Sequence, residues 1–140
     1  MGSVKAPDIE AYLSSWKKRA RAEEEKRQER AKEALKVAFA IAQSLVEKGK
    51  AKRVYLFGSL ASSMRGWRRF GLASDIDLAA EAIPKGEYFR ILAEVNRMSD
   101  FEIDLVDLEA CPAPLREAIL KNGVLLYGKE GSDSLAHWGD

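Results

Sequence analysis

The sequence predicts one α/β or α+β unit, a single sheet with helices packed on it, behind a long N-terminal helix. Three observations lead there. Residues 52 to 127 alternate short strand-type runs with helix-type runs, as expected of a layer of strands covered by helices. Residues 9 to 48 hold neither Gly nor Pro, so no residue there breaks a helix. The chain has 140 residues, 46% of them hydrophobic, which fits one domain with a modest core.

The first helix begins after Pro7-Asp8, where Asp8 can cap the first turn, and Gly49 is a natural stop. Between Lys17 and Ala34 the only apolar residues are Ala20, Ala22, Ala31 and Ala34. Leu35, Ala38, Phe39, Ala42, Leu45 and Val46 then restore a 3.6-residue stripe. The second half is therefore expected on the core and the first half in solvent. Support for the charged middle is mixed: Glu23 and Arg27 make a favourable i,i+4 pair, whereas Lys26–Arg30 and Glu25–Glu29 are like-charged. An unbroken helix of this length is about 60 Å long, which requires a bend or a projecting arm. Tyr12, Leu13 and Trp16 at its far end present an apolar face that calls for a cover, either a partner or a second copy.

Strands are expected at 53 to 57, 75 to 80, 101 to 107 and 124 to 127, with helices at 59 to 66, 86 to 98 and 113 to 121. Pro84, Pro112 and Pro114 fall at helix starts, where a missing amide hydrogen is harmless, and Gly123 closes the last helix. The chain after Gly128 is polar and expected to be mobile. The boundaries that follow are a helical extension over 1–50, a central domain over 51–128 and a flexible tail over 129–140.

Charged side chains make up 32% of the chain, yet 23 basic against 22 acidic residues leave a net charge of +1. That balance does not favour nucleic acid or a membrane as a general partner. One cysteine, Cys111, excludes an internal disulfide, and with the single histidine, His137, it cannot form a four-ligand thiolate zinc site. A reducing cytoplasm is the simplest compartment. No apolar run reaches the ~18 residues of a spanning helix, and no signal-type segment opens the chain. Cys111 and His137 both read as uninvolved in chemistry.

Asp75 and Asp77 do carry a chemical signal. Side chains two apart in a strand share one face, roughly 6.5 to 7 Å apart at the backbone, and two carboxylates so placed repel unless a proton or cation lies between them. An oxygen-only pair suits Mg²⁺ or Mn²⁺, which complete their shell with water and substrate phosphates. A third carboxylate comes from the run Phe101 to Leu108. There Phe101, Ile103 and Leu105 form an apolar set for the helix side, which places Glu102 and Asp104 opposite. Asp104 is the better third member, and Asp107 reads as a strand-end residue. Three such groups can hold two metals, with Asp104 as general base or its metal-bound equivalent.

Gly58 lets the chain turn tightly after the first strand, and Ser59 is placed to cap the following helix, whose exposed amides attract a phosphate. Arg65, Arg68 and Arg69 belong to the window Lys48 to Ser74, which has seven basic residues and no acidic one. Guanidinium groups there can grip phosphate oxygens.

Leu56-Phe57-Gly58-Ser59, then Ser74-Asp75-Ile76-Asp77-Leu78, then Ile103-Asp104-Leu105-Val106 together resemble the polymerase β-like nucleotidyltransferase superfamily, most of all its minimal nucleotidyltransferases. The resemblance spans roughly residues 53 to 127. It implies a mixed sheet of about four strands flanked by helices, Gly58 and Ser59 on a triphosphate, and Asp75, Asp77 and Asp104 as the metal-binding and catalytic triad. It further implies transfer of a nucleoside monophosphate from an NTP, commonly ATP, to a hydroxyl with release of pyrophosphate, and an antitoxin role toward a helical HEPN-type partner. Two features depart from the usual Gly-Ser-x-Ala-Arg-Gly run. The sequence here is Gly58-Ser59-Leu60-Ala61-Ser62-Ser63, without arginine, and the segment to Asp75 is about five residues longer. Arg65-Gly66 can substitute after a helix extension.

Two functions compete at this point. The first is a Mg²⁺-dependent nucleotidyltransferase acting on a protein or small-molecule hydroxyl. The second is a catalytically weak nucleotide- or partner-binding antitoxin module. Nucleic-acid binding through the basic window and Lys17 to Arg21 is a weaker third, marked by steep salt dependence.

Overall fold

The computed structural model describes residues 9–65, 70–71 and 75–128. The expected caps and arginines at Asp8, Arg68 and Arg69, the glycine at Gly66, and the tail with His137 lie outside the described residues. The order of elements is α1 (Ile9–Glu47), β1 (Arg53–Phe57), α2 (Gly58–Met64), β2 (Ile76–Glu81), α3 (Tyr88–Asn96), β3 (Ile103–Asp107), α4 (Ala113–Asn122) and β4 (Val124–Gly128). The fold is α+β, and all four strands belong to one mixed sheet ordered β3-β2-β1-β4. β1 pairs antiparallel with β2 and β4, while β2 and β3 run parallel.

Strand alternation divides the sheet into two faces. On one, Val54, Leu56, Ile76, Leu78, Ala80, Ile103, Leu105 and Leu126 form the main core with residues of α1, α2 and α3. On the other, Tyr55, Ala79 and Leu108 pack with Ile119 of α4 in a smaller cluster. Among the described residues one helix therefore covers only part of the second face, and the β1–β2–β3 end of it stays open.

The expected elements all form, with informative differences at their ends. β3 starts at Ile103 rather than at 101, because the amide of Phe101 donates to Ser99 Oγ at 3.1 Å and its ring is buried under the Arg30 guanidinium at 4.0 Å. α1 runs unbroken for 39 residues. Its core face is turned from the expected stripe: Ala34, Ala38, Ile41, Ala42 and Leu45 are buried, Leu35 and Val46 are only partly so, and Phe39 is 44% exposed. Three alanines at i, i+4 and i+8 bring the helix close to the sheet, and that approach fixes the rotation. Gly49, two residues beyond the end of α1, lies so near Leu45 O that a β-carbon would stand at 2.8 Å. The left-handed turn is made by Lys50, at φ 66°. The N-terminal half of α1 is exposed, including Tyr12 and Trp16. Among the described residues no helix is long and apolar enough to cross a membrane.

Candidate functional site

The open part of the second face is where the acidic residues lie. Phe57 is the register partner of Asp77 on β1, and Asp104 is its partner on β3. The three side chains therefore stand in a row across the sheet. Asp75, one residue before β2, shares the parity of Asp77. Glu102, whose carbonyl accepts the amide of Ile76 at 3.0 Å, shares that of Asp104. The sequence-derived parity holds on β3 as well: Ile103 and Leu105 are buried while Asp104 is exposed. Asp107 turns its Oδ1 to the amide of Glu109 at 3.0 Å, as a strand-end residue does.

Crowding of carboxylates shows in their acidity. Burial pushes Asp77 up to about 6, helped by the charges of Asp104 and Asp75 and by a hydrogen bond shared with Asp104. Such a bond between two carboxyls needs a proton on one of them. Among the described residues no three acidic, histidine or cysteine groups stand as a ready set of metal ligands. The donor chemistry nevertheless suits a hard divalent cation, since these are oxygen-only groups whose mutual repulsion a cation would relieve.

Gly58 closes the site on the β1 side. It follows Phe57 directly at φ +75°, and a β-carbon added to it would stand 2.1 Å from Asp77 Oδ2. Only a glycine permits both that backbone conformation and that approach. The expected capping role of Ser59 is not what forms. The N-cap position is Phe57, with no side-chain cap bond, and Ser59 lies within the first turn of α2. The helix is bounded from Gly58, one residue earlier than expected, and the positive φ there makes Gly58 the turn that leads into it.

Arg65 ends α2, and its guanidinium donates to the carbonyls of Asn122 and Gly123, the latter at 3.3 Å. The structure thus engages Arg65 with the C-terminal end of α4, a favourable place for a cation. No sequence signal pointed to that contact, which joins residues 57 positions apart.

A cleft of about 500 Å³ opens over the edge strand, lined by Asp77, Asp104, Glu102 and Phe57 together with Tyr88, Leu92 and Asn96 of α3. Burial and the charges of Asp104 and Asp107 raise the Tyr88 phenol above its usual range. The one sequence signal for Tyr88, Leu92 and Asn96 is their four-residue spacing, which puts them on one helical face. Glu102 was placed on the correct side and given no role.

A family model described as Polymerase beta, Nucleotidyltransferase matches residues 40–132. No curated protein matches the sequence. A solved structure described as a toxin-antitoxin with AMP-PNP is 23% identical, with TM-score 0.56, over 71% of this chain and 79% of that one. Another, described as a mutant of the toxin-antitoxin MntA-HpeT, is 24% identical, with TM-score 0.54, over 70% of this chain and 77% of that one. At these identities the likeness is one of fold.

Proposed function

Because this chain belongs to the polymerase beta nucleotidyltransferase family, we propose that it transfers AMP from ATP to a hydroxyl of a HEPN-type protein partner and thereby acts as an antitoxin. The observation that carries this reading is the position of Asp77, between its register partner Asp104 and the bare Cα of Gly58. Asp75, Asp77 and Asp104 would hold Mg²⁺ or Mn²⁺, which supplies charge neutralisation for the triphosphate and for the departing pyrophosphate. Asp104, the exposed member of the row, takes the proton of the acceptor hydroxyl. The acceptor oxygen then bonds to the α-phosphorus as the bond from that phosphorus to the β-phosphate bridging oxygen breaks. Gly58 and Ser59 offer first-turn amides and a hydroxyl to the phosphates. The lone Cys111 is compatible with a cytoplasmic site of action.

A second reading, the partner-binding module with little transfer, is favoured by one observation: Arg65, the candidate replacement for the missing phosphate arginine, is engaged with α4. One experiment separates the two. The chain is incubated with Mg²⁺, α-labelled ATP and a co-purified HEPN-type partner. Covalent label that vanishes in Asp75→Asn and Asp77→Asn supports transfer. Partner binding without label, unchanged by both substitutions, supports the module.

A further inference from the structure

Asp104 sits on an edge strand, which is an awkward place for a residue that must stay opposite Asp77. Among the described residues β3 pairs with β2 on one side only. In that parallel pairing Glu102 accepts from Ile76 and Leu108 donates to Ala80, so the even-numbered residues bond inward and the odd-numbered ones turn their peptide groups outward. An edge strand with free outward groups frays or recruits another strand.

Two side chains of α3 occupy those outward groups on both sides of Asp104. Asn96 Oδ1 accepts the amide of Ile103 at 2.8 Å, and its Nδ2 donates to the Ile103 carbonyl at 3.1 Å. The same nitrogen donates to Leu92 O at 3.0 Å, which fixes the amide plane. Tyr88 donates its hydroxyl to the carbonyl of Leu105. Asn96 thus takes the place of a neighbouring strand at one residue, and Tyr88 secures the carbonyl two residues on. Ile103 and Leu105 flank Asp104 directly, so the peptide groups that set its direction are held from both sides.

We propose that Asn96 and Tyr88 are positioning residues for Asp104, holding the edge strand so that its carboxylate stays opposite Asp77 in the cation-binding arrangement. This rests on the reading of Asp75, Asp77 and Asp104 as the metal-holding set. Asparagine suits the role because it offers a donor pair and an acceptor on one short plane, which neither Asp nor Leu does.

The test measures Mn²⁺ binding to the full chain by electron paramagnetic resonance, alongside thermal unfolding without metal. Wild type should bind Mn²⁺, and Asp104→Asn should weaken that binding; if wild type binds none, or Asp104→Asn binds as well as wild type, the metal-set reading itself fails. With that reading intact, Asn96→Leu should weaken Mn²⁺ binding about 10-fold at a temperature where the variant is fully folded, as is usual for partners of metal ligands. Tyr88→Phe, which removes one hydroxyl and its bond to the Leu105 carbonyl, should weaken it too, by less than Asn96→Leu, when measured where the variant is fully folded. A purely structural role would lower the unfolding temperature and leave Mn²⁺ affinity of the folded protein unchanged, and that result overturns the proposal. Should Asn96→Leu fail to fold, Tyr88→Phe decides alone: weaker binding supports the proposal and unchanged binding overturns it.

Discussion

Gly58 and Asp77 are in such close contact that a β-carbon on Gly58 would lie 2.1 Å from Oδ2 of Asp77 and 2.9 Å from its Cγ. The turn after β1 and the central carboxylate of β2 are therefore one unit. Gly58→Ala should cost about 1 kcal/mol from the positive φ alone, and about 1 kcal/mol more from driving the Asp77 side chain off its rotamer. The measurement is a urea unfolding midpoint at unchanged slope. In the Asp77→Ala background the same change should lose only the backbone part. Simple additivity of the two substitutions would contradict the contact.

Asp77 also makes stability depend on pH. Its carboxyl is pushed up to about 6 in the folded protein, from an ordinary value near 3.8, by burial first and then by Asp104 and Asp75. Between those values the folded state holds a proton that the unfolded chain has released. Stability from this group is thus fully present below about 3.8 and is lost as pH rises through about 6. Glu87, lowered by Arg90, acts in the opposite sense, so wild type must be compared with Asp77→Asn, which keeps Glu87. Without metal, the variant should gain on wild type in urea titrations as pH rises from 4 to 7. A constant difference would show that Asp77 is not perturbed.

How much of this was written in the sequence depends on the range of each interaction. Strand β1 was legible to the residue, because Val54 to Phe57 is a bounded apolar run, and the parity argument on β3 placed Asp104 and Asp107 correctly. Gly58 was recognised as a turn, but its contact with Asp77 was not, since that depends on the β1–β2 register. The rotation of α1 escaped because hydrophobicity ranks Phe39 above Ala34, whereas close packing on the sheet selects the alanines. The contact of Arg65 with the end of α4 is not legible in the sequence, since it joins residues far apart along the chain.

Relief of repulsion gives a prediction for the metal-free protein. Asp104 is the strongest charged neighbour of Asp77, so Asp104→Asn should raise the unfolding temperature by roughly 2 to 5 °C. If the acidic set holds the cation as proposed, millimolar Mg²⁺ should then stabilise wild type and leave Asp104→Asn nearly unchanged, since an ion bound by the folded state alone favours that state. Differential scanning fluorimetry with and without Mg²⁺ reads both effects. Equal Mg²⁺ shifts in the two proteins would separate Asp104 from the cation.

Arg65 joins the end of α2 to the end of α4 by donating to two main-chain carbonyls. Hydrogen bonds from a charged donor typically contribute about 1.5 to 3 kcal/mol each, less where water competes. Arg65→Ala should therefore lose about 1 to 2 kcal/mol in urea unfolding. Arg65→Lys should recover only part of it, since an ammonium cannot span both carbonyls as a guanidinium fork does. An alanine variant as stable as wild type would release Arg65 from α4 and return it to the phosphate side.

The two halves of α1 should respond differently to substitution. Ala38 is fully buried against the sheet, whereas Tyr12 and Trp16 are 67% and 63% exposed. Ala38→Leu forces extra methylenes into a fully buried site of the main core, at a cost of about 1 to 3 kcal/mol. Ile41→Ala, which empties a buried site, should lose roughly 2 to 4 kcal/mol. Phe39→Ala should lose clearly less than Ile41→Ala despite the larger side chain, because Phe39 is 44% exposed. Tyr12→Ala and Trp16→Ala should stay within about 0.5 kcal/mol of wild type. Urea titrations of the five variants decide the point. A Phe39→Ala loss exceeding that of Ile41→Ala would mean that α1 presents its Leu35–Phe39–Val46 stripe to the sheet after all.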